Sequence, residues 1–298
     1  MEHLTIKSSW SLRILLGALL LSMTTGVYAG GGWPQPKGKS YWKLSQWWLV
    51  SDQHFTDQGL IDPNVTTGIF NTSLYAEYGF TDRLTGTLYF PFFSRTYMNN
   101  LVSSTTDEIL VPGEALNSVG DTDIGIKYGL TPGKRVSLAT SLVLGLPIGN
   151  PAGGTQMNLQ TGDGEFNQLL QFDAGVPFSL GKLPAYANGY VGFNNRTNGF
   201  SDEFRFGAEV GAAFLEERLW IIGRAFGIES FQNGQTAEDF TGTSIFANNT
   251  EFFSLSVEAN WYVTERVGVS ANYTGAVSGS IIFAAPSYSV GVFLDLTK

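Results

Sequence analysis

Beyond residue 40 the chain alternates apolar and hydrophilic residues with a period of two, and it repeats this in about twelve segments. No run in that stretch approaches the ~20 apolar residues that a membrane-spanning helix needs. If such a chain is integral to a membrane, it must close its strands into a barrel. Hydrocarbon offers no hydrogen-bond partner to an open sheet edge.

The two rows of each segment differ in chemistry. Thr122, Ile124, Ile126, Tyr128 and Leu130 oppose Asp121, Asp123, Gly125, Lys127 and Gly129. Leu170, Phe172 and Ala174 oppose Gln171, Asp173 and Gly175. Phe204, Phe206, Ala208 and Val210 oppose Glu203, Arg205, Gly207 and Glu209. Leu255, Val257 and Ala259 oppose Ser256, Glu258 and Asn260, and Tyr288, Val290 and Val292 oppose Ser289, Gly291 and Phe293. A mid-strand charge facing lipid costs several kcal/mol, so the polar rows are expected to face the lumen. The lumenal candidates are Glu77, Lys127, Asp173, Arg205, Glu209, Arg224 and Glu258. They suit either a constriction that sorts solutes by charge and size or an interior salt-bridge network that fills space. The strand from Leu219 to Ile228 is conditional. If Arg224 points inward, Trp220, Ile222, Phe226 and Ile228 do too and form an apolar wall; a bulge would abolish it.

Connections alternate in length. Short ones fall at Thr81 to Arg83, Thr131 to Lys134, Ser179 to Leu183, Leu215 to Glu217 and Thr264 to Glu265. Long ones fall at Ser51 to Thr66, Ser94 to Ser118, Asn150 to Gly164 and Glu229 to Asn249, with shorter members at Asn194 to Ser201 and Ser278 to Pro286. Short periplasmic turns and long extracellular loops give this rhythm, with both ends of the barrel on the periplasmic side. Trp47 and Trp48, Tyr78 and Phe80, Phe92 and Phe93, and Trp261 and Tyr262 gather near segment ends. They fit either interfacial girdles or the ordinary preference of aromatics for sheets.

The first residues have the form of an address. Lys7 and Arg13 precede the apolar run Ile14 to Met23, and Val27-Tyr28-Ala29 supplies small residues at the −3 and −1 positions. The expected organisation is a signal peptide over 1–29, a flexible periplasmic lead-in over 30–40 and an outer-membrane barrel over 41–298. The fold class is therefore all-β, an antiparallel up-and-down transmembrane barrel of about twelve strands. A soluble lipocalin-like barrel or sandwich is the competing architecture. About eight strands already fill the interior of such a barrel, however, and small, charged rows would pack a wider one poorly.

Composition removes other classes. Charged residues make up 14%, well below the ~25% of soluble domains, and Gly reaches 36 residues. Without Cys there is no disulfide framework and no thiolate metal site. The net charge of −9, or −10 beyond Ala29, offers nucleic acid no footing. Catalysis would need His54, the one His beyond the leader, which is expected in the first long loop near Asp52 and Asp57; no Ser is marked as its partner. Asp121 and Asp123, with Asp163 and Glu165, could approach a Ca²⁺ site but read more simply as carboxylates at a wet rim. No cofactor and no metal is expected. The expected partners are outer-membrane lipid and a small-molecule solute.

Gly120-Asp121-Thr122-Asp123-Ile124-Gly125-Ile126-Lys127-Tyr128, then Leu142 to Asn150, then Thr161-Gly162-Asp163-Gly164, resemble the family named for the MetA pathway of phenol degradation. The specific motifs span residues 119 to 166, with Pro147-Ile148-Gly149 where the family has Pro-Thr-Gly. The closing residues Asp295 to Lys298 lack the terminal aromatic usual in outer-membrane barrels. The resemblance implies an outer-membrane barrel that takes up hydrophobic or aromatic compounds. Three functions follow for testing: passive passage of small, hydrophobic or aromatic molecules, a structural or surface-interaction barrel with a closed lumen, and an outer-membrane hydrolase.

Overall fold

Each alternating segment becomes a strand, and the strands pair in chain order until the last meets the first. The computed structural model describes residues 31–235 and 244–297, so the expected signal peptide and the middle of the 229–249 loop lie outside the described residues. The strands are β1 Ser40–Phe55, β2 Ile61–Gly79, β3 Leu84–Met98, β4 Leu101–Val102, β5 Ile109–Val111, β6 Glu114–Ser118, β7 Thr122–Gly129 and β8 Ser137–Leu146. They continue as β9 Asn167–Leu180, β10 Leu183–Arg196, β11 Glu203–Phe214, β12 Leu219–Ser230, β13 Glu251–Tyr262, β14 Val267–Ser280, β15 Ile282–Phe283 and β16 Ser287–Asp295. β6 and β7 form one stave against β3, and β15 prolongs the β16 stave along β1. β4 and β5 make a separate hairpin in the loop. Antiparallel pairing of β1 with both β2 and β16 closes a twelve-strand barrel.

Sidedness follows the predicted rows. Ile126 is 53% exposed and its neighbour Lys127 only 7%; Val292 is 52% exposed and Phe293 2%. Apolar side chains cover the outside while Glu77, Asp173 and Glu258 are buried within. A soluble barrel would show the reverse. The exterior is a surface made for hydrocarbon, where a Lys or Arg would cost about 2–4 kcal/mol at mid-bilayer.

The short connections lie at one end together with Ser40 and Asp295. The long-loop end differs in detail from expectation. β1 runs to Phe55 and β2 begins at Ile61, so most of the expected Ser51 to Thr66 loop is strand projecting past the barrel wall, turned by Thr56 to Leu60 with Gly59 at φ +74. Polar residues continue these strands because water, not lipid, meets them there. His54 is accordingly a strand residue, paired with Asp62 and Phe283, rather than a loop residue. The Ser94 to Ser118 stretch likewise holds the end of β3, the β4–β5 hairpin and β6. Of the aromatic pairs, Tyr78, Phe80, Phe92, Phe93 and Trp261 are exposed outside. Trp47 instead packs on the inner cluster of Leu49, Ile69 and Phe283, and Tyr262 bonds inward to Asp295.

The residues before β1 are not the free lead-in that their Gly and Pro content suggests. Residues 31–36 run inside the short-turn end of the barrel and bond to its wall. Gly32 N donates to Asn188 Oδ1 at 2.9 Å, and Ser137 Oγ donates to Gly32 O at 2.7 Å. Gln35 N donates to Thr85 Oγ1 at 2.7 Å. A Cβ on Gly32 would lie 2.8 Å from the Ser137 carbonyl oxygen, so the approach requires glycine. Gly and Pro here serve close contact and a fixed turn, not freedom.

Candidate lumenal site

The seven sequence-predicted residues all belong to the inner rows, and the structure joins six of them into bonded groups. On one wall, Arg224 Nε meets Glu209 Oε2 at 2.7 Å and Arg224 Nη1 meets Glu258 Oε2 at 2.7 Å. Lys43 Nζ meets Glu258 Oε1 at 3.0 Å, reaching over the intervening β14 and β16 staves. β14 and β16 present Ser270 and Gly291 there, which leaves the ammonium a clear line. On the other wall Glu77 accepts from Gln35 Nε2 at 2.6 Å and from Tyr75 Oη, with Lys127 Nζ at 3.9 Å. Arg205 bonds Glu203 at 2.7 Å. Asp173 stands apart from these pairs, accepting only from Gln171 Nε2 at 3.0 and 3.1 Å among the described bonds. Each charge on these walls thus has a neutral donor or an opposite charge beside it, as burial demands.

β11 and β12 pair without a register shift, Glu209 opposite Arg224 and Ala213 opposite Trp220. The condition set by the sequence is therefore met. Trp220 and Ile222 are buried on the inner face while Ile221 between them is 36% exposed, and Phe226 lines a small recess beside Arg224. Apart from Phe293, already on a lumen-facing row, sequence reasoning missed the rest of this wall. Tyr41, Tyr75, Tyr89, Tyr186, Tyr262 and Phe293 turn their rings inward around a cavity of about 390 Å³, with Trp33 from the strap and Trp220. Trp33 stands edge-on to Tyr186, and Tyr186 meets Trp220 at 5.9 Å between ring centres. Glu77, Glu209, Arg224, Glu258 and Lys43 also line the cavity. The signal for Lys43 and Tyr75 was their place on alternate positions of β1 and β2; nothing periodic marked Trp33.

Toward the long-loop end Arg196 binds Asp163 at 3.1 Å, Glu165 at 2.6 Å and Glu203 at 2.6 Å, and its guanidinium lies 4.4 Å from the centre of the Phe200 ring. Asp121 accepts backbone N–H groups from Gly149 and Asp163, each at 2.8 Å. These carboxylates tie the 147–166 loop to the rim. Among the described residues no cluster of acidic or imidazole ligands could hold a metal ion. Among the described residues His54 Nδ1 is buried with no hydrogen-bond partner, so no carboxylate there holds that nitrogen.

No protein-family model matches the chain, and no curated protein matches it either. Solved structures do. The chain is similar to an outer membrane channel from Pseudomonas putida F1, at 15% identity over 90% of this chain and 99% of that one, with a TM-score of 0.52. It is also similar to the β domain of the Bordetella autotransporter BrkA, at 13% identity over 87% and 100%, with a TM-score of 0.50. Likeness at these identities is likeness of fold. Together with the apolar exterior, it places the chain among the β-barrels of the bacterial outer membrane. The resemblance of residues 119 to 166 to the phenol-degradation family stands without a family match.

Proposed function

We propose that the barrel binds small molecules in its lumen and passes them across the outer membrane, with aromatic solutes the favoured class. The observation that carries this reading is the cavity of about 390 Å³ walled by eight inward rings. Ring faces and edges bind a flat apolar solute by dispersion and quadrupole contact, and the rimming charges and hydroxyls give polar substituents a place to bond. Glu77, Lys127, Asp173, Arg205, Glu209, Arg224 and Glu258 act in this reading as the polar frame that sets the width of the path. The family resemblance points to the same solute class. Liposome swelling with phenol-like solutes against sugars of similar size is the test. Faster swelling with the aromatic set, diminished in Trp220→Ala, supports the reading; equal or absent swelling removes it.

A closed, structural barrel is the second reading. The strap of residues 31–36 bonded across the short-turn end favours it, because a path through the cavity must pass that strap. Single-channel recording separates the two: discrete conductance steps support passage, and a silent bilayer supports closure.

A further inference from the structure

The inner surface carries more negative than positive charge. Eight ion pairs within 4.0 Å join five basic side chains, Lys43, Lys127, Arg196, Arg205 and Arg224, to six carboxylates. Asp295 on the inner row of β16 is held by Tyr262 Oη at 2.7 Å, and two further carboxylates share the inner rows, Asp123 on β7 and Asp173 on β9. Among the described residues neither has a basic nitrogen within that distance. Both flank β8, where Asp123 stands opposite Gly145 and Asp173 opposite Ala139. The two carboxylates stand at two depths along one wall, Asp123 exposed to the lumen and Asp173 buried with Gln171 as its neutral donor. A paired charge is nearly cancelled a short way from its pair. An unpaired one projects its field into a lumen whose low-dielectric wall screens it less than bulk water does.

We propose that the lumen admits cations in preference to anions, and that Asp123 and Asp173 set that preference. The proposal concerns the path assumed above, so its test has one arm that depends on conduction and one that does not. The first arm is the reversal potential of the full chain in a planar bilayer under a KCl gradient. A several-fold K⁺ over Cl⁻ permeability ratio is expected, falling toward unity in the Asp123→Asn, Asp173→Asn double variant. The second arm is collisional quenching of tryptophan fluorescence by Cs⁺ and by iodide, each normalised to free N-acetyltryptophanamide. Trp33, Trp47 and Trp220 lie inside, whereas Trp42, Trp48 and Trp261 lie on the lipid-facing rows. Quenching by Cs⁺ should exceed that by iodide, and the double variant should narrow the gap. A silent bilayer with intact Cs⁺ preference would defeat passage and uphold the charge assignment. Conductance with a ratio at or below unity, or quenching indifferent to ion sign, overturns the proposal and leaves passage standing. A ratio and a quenching gap unchanged in the double variant would overturn the assignment to these two residues.

Discussion

Trp33 meets Tyr186 edge to face, the ring centres 5.8 Å apart and the planes at 90°. One ring belongs to the strap that precedes the barrel and the other to β10, so this contact, with the hydrogen bonds of Gly32 and Gln35, holds the strap inside. Gly175 makes room for it, since a Cβ there would come within 2.5 Å of the indole.

We expect Trp33→Ala to loosen the strap. An aromatic pair contributes about 0.5–1.5 kcal/mol beyond its buried area, and the indole's own burial adds to that. Hydrogen exchange of the Gly32 and Gln35 amides should speed up by at least tenfold while exchange in β10 stays unchanged. Equal protection in the two proteins would show that the hydrogen bonds alone hold the strap. In bilayers the same variant should conduct more than the parent.

The Lys43, Glu258, Arg224 and Glu209 chain makes a second expectation. Arg224→Ala leaves two carboxylates on the strands that flank β12, with Lys43 as the sole base bonded to either. Removing one partner of a largely buried pair costs about 3–5 kcal/mol. Urea titration in vesicles, followed by tryptophan fluorescence, should show a lower midpoint. Adding Glu209→Gln and Glu258→Gln should recover much of the loss, because the uncompensated charges go with them. A midpoint unmoved by Arg224→Ala would show that lumen water already screens the group.

These residues also show how far the sequence could be read. Glu258, Glu209 and Asp173 stood on hydrophilic rows opposite unbroken apolar ones, and period two alone turned them inward. Arg224 needed one more fact, the absence of a bulge in β12, which only the register with β11 supplies. The pairing of Lys43 with Glu258 depends on closure bringing β1 beside β16 and within reach of β13 across 215 residues of chain. Gly31 to Gln35 have no periodicity, and their position comes from bonds to Asn188, Ser137 and Thr85 on three different strands. The strap was therefore legible as coil but not as a plug. The projecting strands at Phe55 and Ile61 were hidden for a related reason: above the bilayer both faces are wet, so the alternation that marks a strand fades.

The turn from β11 to β12 carries a local cost. Leu215, Glu216 and Glu217 all have positive φ, at 53, 56 and 65 degrees. A left-handed backbone costs a residue with a Cβ roughly 1–2 kcal/mol. Glu216→Gly should therefore raise stability by about 1 kcal/mol, less the entropy that glycine returns to the unfolded chain. The urea midpoint measures it. An unchanged or lower midpoint would mean that the Glu216 side chain contributes something that offsets its backbone.

At the opposite rim, Asp121 makes the 147–166 loop sensitive to pH. Burial pushes its carboxyl up, the N–H groups of Gly149 and Asp163 pull it back, and the nearby Asp163 charge pushes it up again; the balance stands at about 7, against an ordinary value of 3.8. A carboxyl raised by folding favours the folded loop most when protonated. Its contribution is complete below the unfolded value near 4 and drains away as pH rises through about 7. We therefore expect protection of the Gly149 and Asp163 amides, corrected for intrinsic exchange rates, to fall between pH 5 and pH 8 while protection in β13 holds level. Asp121→Asn cannot ionise, so it should flatten that slope, although one of its two amide contacts loses its acceptor and overall protection drops. A loop whose protection stays constant or rises over this window would show that the two N–H bonds outweigh burial and keep Asp121 ionised throughout.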